Sequence, residues 1–495
     1  MNQTGVGKTA QNYKSKVKEQ FYLPCSYTVN MTGEIITIQV GQCGNHVGKY
    51  FWNQLLKEHG IDKDGYSKYN DDLTHIREDD TNPFFKQITN NRYVPRAIMI
   101  DLEPAAVTDV QSSFNDLFNP RNTWVSSEGL GAGNSWSTGY DRGVQNQDRI
   151  MDIIDRELDS TDNFEGFQLL HSVAGGTGSG LGSSLLEALT DRYSKSFITT
   201  YSVFPSKQSE VVVGPYNTVL TLRRLCEDAD ASIIFDNNAL LNLTARTFRD
   251  PNTSYEHTNQ LISSALSSIT NSLRFPSYMY NSMASIFSTL IPTPELHFLT
   301  PNFTPFTPDY IIGGQRYKKN TAYDVLLDLL DPFNSLVTQR SDMVTHFNVF
   351  STVIGEVDQN HILRALPKMQ QRLNMPSWST SALNVNIGRR SPYLPPLESR
   401  ENSVSGLMLS NTSAITSVFE RSASAFDKLF YKGAFLNQFE SGQLFQNGLD
   451  EFVESREVIT RMMEEYSNAE QDTYLDDILN EDDIMIGGFD NEGDS

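Results

Sequence analysis

Two glycine-rich turns, each lying between a strand-like and a helix-like run, constrain the fold of this chain more than any other feature. Residues 175–180 read Gly-Gly-Thr-Gly-Ser-Gly, between an apolar run and the helix-like residues 181–193. Residues 41–45 read Gly-Gln-Cys-Gly-Asn, between the β-branched run 34–40 and a second helical pattern. Backbone N–H groups in such turns, together with a helix N-terminus, bind anions, so each turn predicts a phosphate contact. A glycine-rich loop without a ligand is the alternative for either turn taken alone.

Two further elements are predicted at the same edge of the sheet. The strand-like run 94–100 ends in Asp-Leu-Glu-Pro, and residues 131–134 read Gly-Ala-Gly-Asn. Carboxylates at a strand end beside a phosphate loop usually hold Mg²⁺, directly or through water, so Asp101 and Glu103 are candidate metal ligands. Solvated turn acids are the alternative for this pair. The small residues of the second element would allow close approach to a phosphate.

Strand-like and helix-like runs alternate from residue 33 to about residue 250, which predicts a parallel sheet with helices on both faces. A capping-box pattern from Thr253 to Glu256 then begins a long helix with an apolar face. Proline-rich breaks over residues 290–400 indicate a second, mixed domain, and a helical pattern follows it. The candidate strands are residues 34–40, 94–101, 166–173, 198–204 and 231–235.

Composition argues against several classes of protein. The 495 residues exceed what one hydrophobic core usually fills, so two or three domains are expected. A formal charge of −22 argues against nucleic acid as the main partner. No run approaches the roughly 18 apolar residues of a membrane span. Cys25, Cys43 and Cys226 are scattered and form neither a disulfide framework nor a zinc-site pattern, which favours a reducing compartment.

Acidic residues are concentrated at the C-terminus. Residues 464–495 contain twelve Asp or Glu and no Lys or Arg. Such a segment repels itself and buries little, so an acidic disordered tail is expected from residue 467. A small apolar cluster within it would dock on a partner, with random apolar residues as the alternative. The cluster consists of Tyr474, Leu475, Ile478 and Leu479.

The four loop motifs, in their order and spacing, resemble the nucleotide loops of tubulins. They read GQCGN, DLEP, GAGN and GGTGSG. The similarity extends over roughly residues 31–466 through VVVGPYN (211–217), FDNNAL (235–240), LRFP (273–276), IPTPELHFL (291–299) and VSGLM (404–408). Within the family, GEVD (355–358), SPYLP (391–395), residues 404–421 and FDKLFYKGAFLNQF (426–439) are most similar to gamma-tubulins of fungal type.

This resemblance implies a tubulin-like α/β fold with GTP or GDP and Mg²⁺ as ligands. The implied parts are a disordered N-terminal extension (1–30), a Rossmann-like parallel-sheet GTP-binding domain (31–250), a central helix (251–275), an intermediate mixed α/β domain (276–405), C-terminal helices (406–466) and the acidic tail (467–495). The implied GTP-binding residues are Gln42, Cys43, Asp101, Glu103, Ala132, Gly133, Asn134, Ser172, Gly175, Gly176, Thr177, Gly178, Ser179, Gly180, Asn237, Tyr255 and Asn259, with Asp101 and Glu103 on the metal side.

Three of these residues are candidates for contact with the base. Tyr255 and Asn259 are one helical turn apart, so both can face the same ligand. Tyr255 can stack on a purine. The amides of Asn237 and Asn259 offer both a donor and an acceptor, which suits the edge of guanine. A structural role is the alternative for each residue taken alone.

Two departures from the tubulin pattern bear on function. Gly214 stands where alpha- or beta-type chains carry an acid near the ribose. Polymer-forming tubulins also carry acidic residues after the central helix, and these position the attacking water at a neighbour's nucleotide, as phosphoryl transfer requires. The corresponding residues here are Tyr280, Ser282 and Ser285. This end of the chain is therefore not expected to trigger hydrolysis in a neighbour, which suits the end of a filament.

The resulting hypothesis is a structural GTP-binding protein with no catalytic residues of its own and at most weak GTPase activity. The resemblance implies that it nucleates microtubules and anchors their minus ends at a microtubule-organising centre, the spindle pole body, in the cytoplasm. Its expected partners are gamma-tubulin complex adaptor proteins, alpha/beta-tubulin with alpha at the nucleotide face, and copies of itself side by side in a ring template. No nucleic acid or membrane partner is expected.

Two other functions compete with this hypothesis. The first is a polymer-forming tubulin of alpha or beta class, which the missing acids at 282 and 285 argue against. The second is an enzyme that binds a dinucleotide through its glycine loops. The absence of GxGxxG followed by a ribose acid argues against that enzyme.

Overall fold

The computed structural model describes residues 32–68, 79–89, 91–207, 211–248, 255–277, 279–305, 321–339, 344–379, 383–394, 404–440, 442–446 and 448–475. The expected disorder of residues 1–30 lies outside this part of the chain. So do Thr253 of the predicted capping box and Ile478 and Leu479 of the tail cluster. Among the helices in the described ranges, none is long and apolar enough to span a membrane.

A mostly parallel sheet of ten strands lies at the centre of the molecule, which confirms the predicted α/β class. The order across the sheet is β11-β10-β12-β9-β8-β7-β6-β1-β4-β5, and β12 pairs antiparallel with both β9 and β10. Strands β2 and β3 form a separate hairpin. In chain order the strands are β1 (Glu34–Val40), β2 (Phe85–Thr89), β3 (Arg92–Pro95), β4 (Ala97–Asp101), β5 (Thr123–Val125), β6 (Phe164–Ser172), β7 (Phe197–Phe204), β8 (Ala231–Asp236), β9 (Phe298–Thr304), β10 (His346–Ile354), β11 (Leu383–Gly388) and β12 (Ser405–Thr412).

Helices cover both faces of this sheet. In the described ranges they are α1 (Gly41–Glu58), α2 (Pro104–Ser112), α3 (Trp136–Gln145), α4 (Gln147–Leu158), α5 (Gly182–Arg192), α6 (Gly214–Asp228), α7 (Asn237–Phe248), α8 (Tyr255–Ile269), α9 (Asn271–Arg274), α10 (Met283–Phe287), α11 (Ala322–Asp328), α12 (Gln359–Arg372), α13 (Thr416–Phe430) and α14 (Asp450–Asn468). A π-helical turn, Thr177–Leu181, leads into α5.

Strand β1 is buried on both faces, as a central parallel strand requires. All seven of its residues are buried. Ile36, Ile38 and Val40 pack with α3–α6, α13 and α14. Ile35 points the other way and packs with α1, α2 and α8. Around β1 the hydrophobic core therefore has one layer on each face of the sheet, and a further cluster packs α11 and α12 against β10 and β12.

Each predicted strand overlaps an observed one, but the prediction of one strand over residues 94–101 is wrong. Strand β3 pairs with β2 and ends at Pro95, and the sheet strand β4 begins at Ala97. Pro95 has no N–H with which to continue a ladder. Arg96 donates its own backbone N–H to Phe84 O at 2.8 Å, outside the large sheet.

The prediction of a single central helix over residues 251–275 is also wrong, because α8 ends at Ile269 and the short helix α9 follows. Side chains add hydrogen bonds at the last carbonyl groups of α8, although Leu266 O also accepts from Thr270 N at 3.1 Å. The Thr270 hydroxyl donates to Leu266 O at 3.0 Å, and Arg274 Nη2 donates to Ser267 O at 2.7 Å. The domain boundaries stay a prediction, since one sheet runs through both halves of the chain.

Residues 469–475 pack against the body of the protein, which corrects the prediction of disorder from residue 467 for this segment. Tyr474 is only 4% exposed. Its hydroxyl donates to Glu465 Oε1 at 2.5 Å, and its ring centre lies 5.4 Å from that of Trp378. The acidic composition misled the prediction because a few apolar side chains are enough to anchor a short segment to a surface that already exists.

Tyr474→Ala should lower the free energy of unfolding by about 2–4 kcal/mol, because it removes a buried ring and leaves a cavity. Tyr431→Ala is the matched control, since Tyr431 is 93% exposed. The control should change stability by no more than about 0.5 kcal/mol. Chemical denaturation of the two full-length variants measures both values, and equal stabilities would contradict the packing of residues 469–475.

Candidate nucleotide site

The two glycine-rich turns follow neighbouring strands at the carboxyl edge of the sheet. Strands β1 and β6 pair in parallel, with Gln39 opposite Leu170. Strands β4 and β5 lie on the β1 side, and β7 and β8 lie on the β6 side, so the chain order reverses between β1 and β6. Ligands of open α/β sheets bind in the crevice outside the strand ends at such a point.

These two turns meet at Gly41. This residue has a φ of +73°, which L side chains rarely adopt. A Cβ atom added to it would lie 2.8 Å from Gly178 N. The glycine therefore lets the first turn lie against the backbone of the second. Cys43 follows, and burial raises the pKa of its thiol to about 12, so the thiol stays neutral.

The turn over residues 131–134 lies between the other elements. A Cβ atom added to Gly176 would lie 2.7 Å from Ala132 Cβ. One added to Gly131 would lie 1.9 Å from Glu103 Oε1. This turn therefore contacts the second glycine-rich turn on one side and a candidate metal residue on the other. All four predicted loops come together at one edge of the sheet.

The predicted site residues differ in exposure. Gln42, Glu103, Gly133, Asn134 and Tyr255 are exposed; Cys43, Ser172, Gly175, Thr177, Asn237 and Asn259 are intermediate; Asp101, Ala132, Gly176, Gly178, Ser179 and Gly180 are buried. Their contacts with a nucleotide stay a prediction.

Asp101 is the buried carboxylate of the site. It is 3% exposed, and its Oδ1 accepts from Glu103 N at 3.2 Å. Its Oδ2 is buried and has no hydrogen-bond partner. Burial raises the pKa of Asp101 to about 6, although hydrogen bonds from neighbouring N–H groups act in the opposite direction. At neutral pH the site thus holds an ionised oxygen that lacks a partner within the described residues.

Ser179, one of the implied GTP-binding residues, uses its hydroxyl within the turn. Ser179 is fully buried, and its Oγ donates to the carbonyl oxygen of Gly175 in the same turn. This bond helps to fix the shape of the turn, and a contact of Ser179 with phosphate stays a prediction. The half-buried Thr177 remains the candidate hydroxyl donor of this turn.

His171 lies beneath the second turn as a core residue. It is 2% exposed. Its Nδ1–H donates to Gly178 O at 3.0 Å, and its Nε2 lies 2.7 Å from the Ser202 hydroxyl. Burial lowers the pKa of His171 to about 4, so the ring is neutral at physiological pH. Its contact with Gly178 supports the backbone of the turn from below.

The base-side candidates lie at the same edge of the molecule. Glu58, the last residue of α1, accepts from the Ser267 hydroxyl near the end of α8 at 2.7 Å. Helices α1 and α8 pack against each other with their C-terminal ends at this contact, so the two helices are parallel. Tyr255, the 60% exposed first residue of α8, therefore lies beside the beginning of α1. Asn259 follows one turn later.

Asn237 reaches this edge from another strand, because it begins α7 directly after β8. The start of α7 is held by the buried carboxylate of Asp236. Its Oδ1 accepts from Asn238 N at 3.0 Å, and its Oδ2 accepts from Arg421 Nη1 at 2.9 Å. Gly214, the residue that replaces an acid in the tubulin pattern, is buried as the first residue of α6.

Sequence reasoning missed the side chains that tie the loops together. Asn45 Nδ2 donates to the carbonyl oxygens of Gly41 and Ile100, at 3.0 and 3.2 Å. Asn217 donates to the carbonyl oxygens of Asn134 and Ala174, at 2.7 and 2.8 Å. Both asparagines stand in the GQCGN and VVVGPYN motifs, but neither motif reveals a bond to a distant loop.

The residues that replace the acids of polymer-forming tubulins lie at the other end of the sheet. Ser282 and Ser285 cap α10 reciprocally. Glu165 near the start of β6 accepts from Met283 N and from Ala284 N, the latter at 3.2 Å. This glutamate is a carboxylate that sequence reasoning missed at this end. Seven residues of strand separate it from Ser172, a distance of roughly 23 Å.

Comparisons with known proteins agree with this geometry. Residues 34–245 match the family model for the Tubulin/FtsZ family, GTPase domain, and residues 294–424 match that for the Tubulin C-terminal domain. The chain is 60% identical over 468 residues to the tubulin gamma chain of Saccharomyces cerevisiae, covering 94% of this chain and 98% of that protein. It is 60% identical over 460 residues to the tubulin gamma chain of Eremothecium gossypii, covering 92% and 97%.

Protonation of His171 should destabilise the protein in mild acid. The folded-state pKa of about 4 lies below the value of about 6.5 in the unfolded chain, so the unfolded state binds more protons between these values. Stability is therefore complete above pH 6.5 and falls as the pH drops towards 4. Between pH 7 and 5 this residue should account for a loss of about 2 kcal/mol. Urea denaturation of the wild type and of His171→Gln across this pH range measures the loss of stability. Equal slopes of stability against pH in the two proteins would contradict the assignment.

Proposed function

The chain belongs to the tubulin family, and from that premise we propose that it is a gamma-tubulin-type, GTP-binding protein that nucleates microtubules. The observation that carries the proposal is the identity of 60% with two tubulin gamma chains over nearly their whole lengths. The meeting of four loops at one edge of the sheet supports nucleotide binding independently of that identity.

The phosphates bind to backbone N–H groups of the turns over residues 41–45, 131–134 and 175–180, because these groups lie at a strand–turn–helix edge that favours anions. Thr177 adds a hydroxyl donor. Asn237, Tyr255 and Asn259 hold the guanine. Since Gly214 carries no side chain, this chain binds the ribose without the acid that alpha- or beta-type chains place there.

Asp101 and Glu103 hold Mg²⁺ beside the terminal phosphate, directly or through water. The support is the buried Oδ2 of Asp101, because an ionised oxygen without a partner is costly and a cation removes that cost. When bound, Mg²⁺ neutralises phosphate charge. No group of three or more Asp, Glu, His or Cys side chains in the described ranges is placed to hold a metal ion. Phosphate and water oxygens would supply the remaining ligands, as Mg²⁺ prefers.

The protein is a structural GTP-binding protein with at most weak GTPase activity. Hydrolysis needs a group that positions the attacking water. At the far end of this chain Ser282 and Ser285 are occupied with capping α10, and Glu165 binds backbone N–H groups. None of the residues that replace the acids of polymer-forming tubulins, Tyr280, Ser282 and Ser285, is a carboxylate, which suits a subunit at the start of a filament.

The proposed partners are those that the similarity to tubulin gamma chains implies. Alpha-tubulin docks on the nucleotide edge, copies of the chain lie side by side in a ring template, and gamma-tubulin complex adaptor proteins hold the ring. The complex anchors microtubule minus ends at the spindle pole body. A polymer-forming tubulin of alpha or beta class is not favoured, because the 60% identical relatives are gamma chains.

Mg²⁺ should tighten the binding of GTP more than that of GDP, and Asp101→Asn combined with Glu103→Gln should remove most of that difference. The matched control is Asp109→Asn combined with Glu128→Gln, which changes the net charge equally at two exposed carboxylates. Equilibrium binding of labelled GTP and GDP with and without Mg²⁺ measures the difference. An unchanged Mg²⁺ dependence in the first pair would show that these residues are ordinary turn acids.

Purification of the full-length protein from its own cells tests the proposed function. We expect bound guanine nucleotide, co-purifying adaptor proteins, and an increase in microtubule number when the complex is added to alpha/beta-tubulin. GTP turnover by the isolated chain should be far below the roughly 10 per second of ordinary enzymes. An obligate equimolar heterodimer with alpha-tubulin, or rapid turnover without a partner, would overturn the proposal.

A further inference from the structure

Two fully buried asparagines, Asn45 and Asn217, bridge the loops of the candidate site. Both are 0% exposed and lie within one turn of a helix start, Asn45 in α1 and Asn217 in α6. Each donates from a single amide nitrogen to two backbone carbonyl groups that are far apart in sequence. Asn134 and Ala174 lie in loops, whereas Gly41 is the first residue of α1 and Ile100 lies near the end of β4.

The bonds of Asn217 join two of the loops that lie around the phosphate crevice. Its Nδ2 donates to Asn134 O at 2.7 Å and to Ala174 O at 2.8 Å. Its Oδ1 accepts from Trp136 N at 3.0 Å. One side chain therefore fixes the tip of the 131–134 turn, the start of α3 and the entry to the 175–180 turn relative to one another.

The bonds of Asn45 join the first glycine-rich turn to the strand that carries the candidate metal ligand. Its Nδ2 donates to Gly41 O at 3.0 Å and to Ile100 O at 3.2 Å. Ile100 directly precedes Asp101 in β4. The orientation of the Asp101 carboxylate relative to the first turn therefore depends on this amide.

We propose that Asn45 and Asn217 are positioning residues that hold the nucleotide loops in their binding geometry before the ligand arrives. Asn217 sets the spacing of the two phosphate-side loops, and Asn45 sets the position of the metal-side strand end. This inference rests on the proposed guanine-nucleotide site. Preorganisation of this kind raises affinity because the ligand does not have to order the loops.

The two asparagines have different consequences for binding. Without Asn217, both phosphate-side loops are free to separate, so affinity for GTP and GDP falls together, whether or not Mg²⁺ is present. Without Asn45, the metal-side acid loses its fixed place, so the loss falls mainly on the tightening that Mg²⁺ gives to GTP. Substitution of a residue that only stabilises the fold would not change nucleotide affinity and its Mg²⁺ dependence independently of each other.

Asn411 offers a matched control in the other half of the chain. It is also 0% exposed, and its Nδ2 donates to the carbonyl oxygens of Leu290 and Leu296, at 3.0 and 2.5 Å. Asn411→Ala removes a buried amide with the same two hydrogen bonds to carbonyl groups and does not alter the nucleotide loops. It therefore measures what losing a buried two-carbonyl bridge does to melting temperature alone.

Equilibrium binding of labelled GTP and GDP to the full-length chain, with and without Mg²⁺, tests the proposal beside thermal melting. We expect Asn217→Ala to lose at least tenfold in affinity for both nucleotides under both conditions. Asn45→Ala should lose at least tenfold for GTP with Mg²⁺ and less than threefold without it. Asn411→Ala should melt at a similarly lowered temperature and bind within twofold of the wild type. If Asn217→Ala does not fold, Asn217→Ser retains one donor and is measured instead, with at least a threefold loss expected.

Three results would overturn the inference. If Asn45→Ala and Asn217→Ala melt like Asn411→Ala and bind nucleotide like the wild type, the asparagines only stabilise the fold. If both variants lose affinity equally under every condition, the division into a phosphate side and a metal side is wrong. If the wild type itself binds no guanine nucleotide, the proposed function fails first, which distinguishes that failure from failure of the asparagine bridges alone.

Discussion

The nucleotide edge of this protein depends on the close approach of two backbone turns. Strands β1 and β6 pair directly, so the turns that follow them begin only about 4.8 Å apart. A side chain at Gly41 would collide with Gly178 N, and the positive φ at Gly41 aims the first turn towards the second. The 131–134 turn then packs against Gly176, and Glu103 lies against Gly131, so the four loops form one continuous set of contacts.

Predictions from the sequence were correct where the residues that determine a structural element are adjacent in the chain. A glycine-rich turn between a strand-like and a helix-like run carries its own geometry, so the turns, most strands and the α/β class were predictable without knowledge of the fold. Predictions were wrong where an otherwise regular strand-like or helix-like run of residues is interrupted. Pro95 divides one predicted strand into two, and α8 ends at Ile269 although the apolar pattern continues to Leu273.

The rest of the site could not be predicted, because it is held by bonds between residues far apart in sequence. Asn217 lies 83 residues from Asn134, and Glu165 lies 118 residues from Met283. The acidic composition of the C-terminal segment also led to a wrong prediction of disorder, because Tyr474 within it is buried. Charge predicts what a segment does when it is alone in water, whereas packing depends on the surface beside it.

Strand β6 reaches both functional ends of the molecule, with Glu165 near its beginning and Ser172 at its end. The backbone spacing of a strand is fixed, so the distance between these ends cannot be adjusted by stretching. A slip of one residue against β1 would turn every β6 side chain to the opposite face and would displace both ends together. A change in the length or register of β6 would therefore alter both ends at once, whereas a change in a side chain or loop at one end leaves the other end in place.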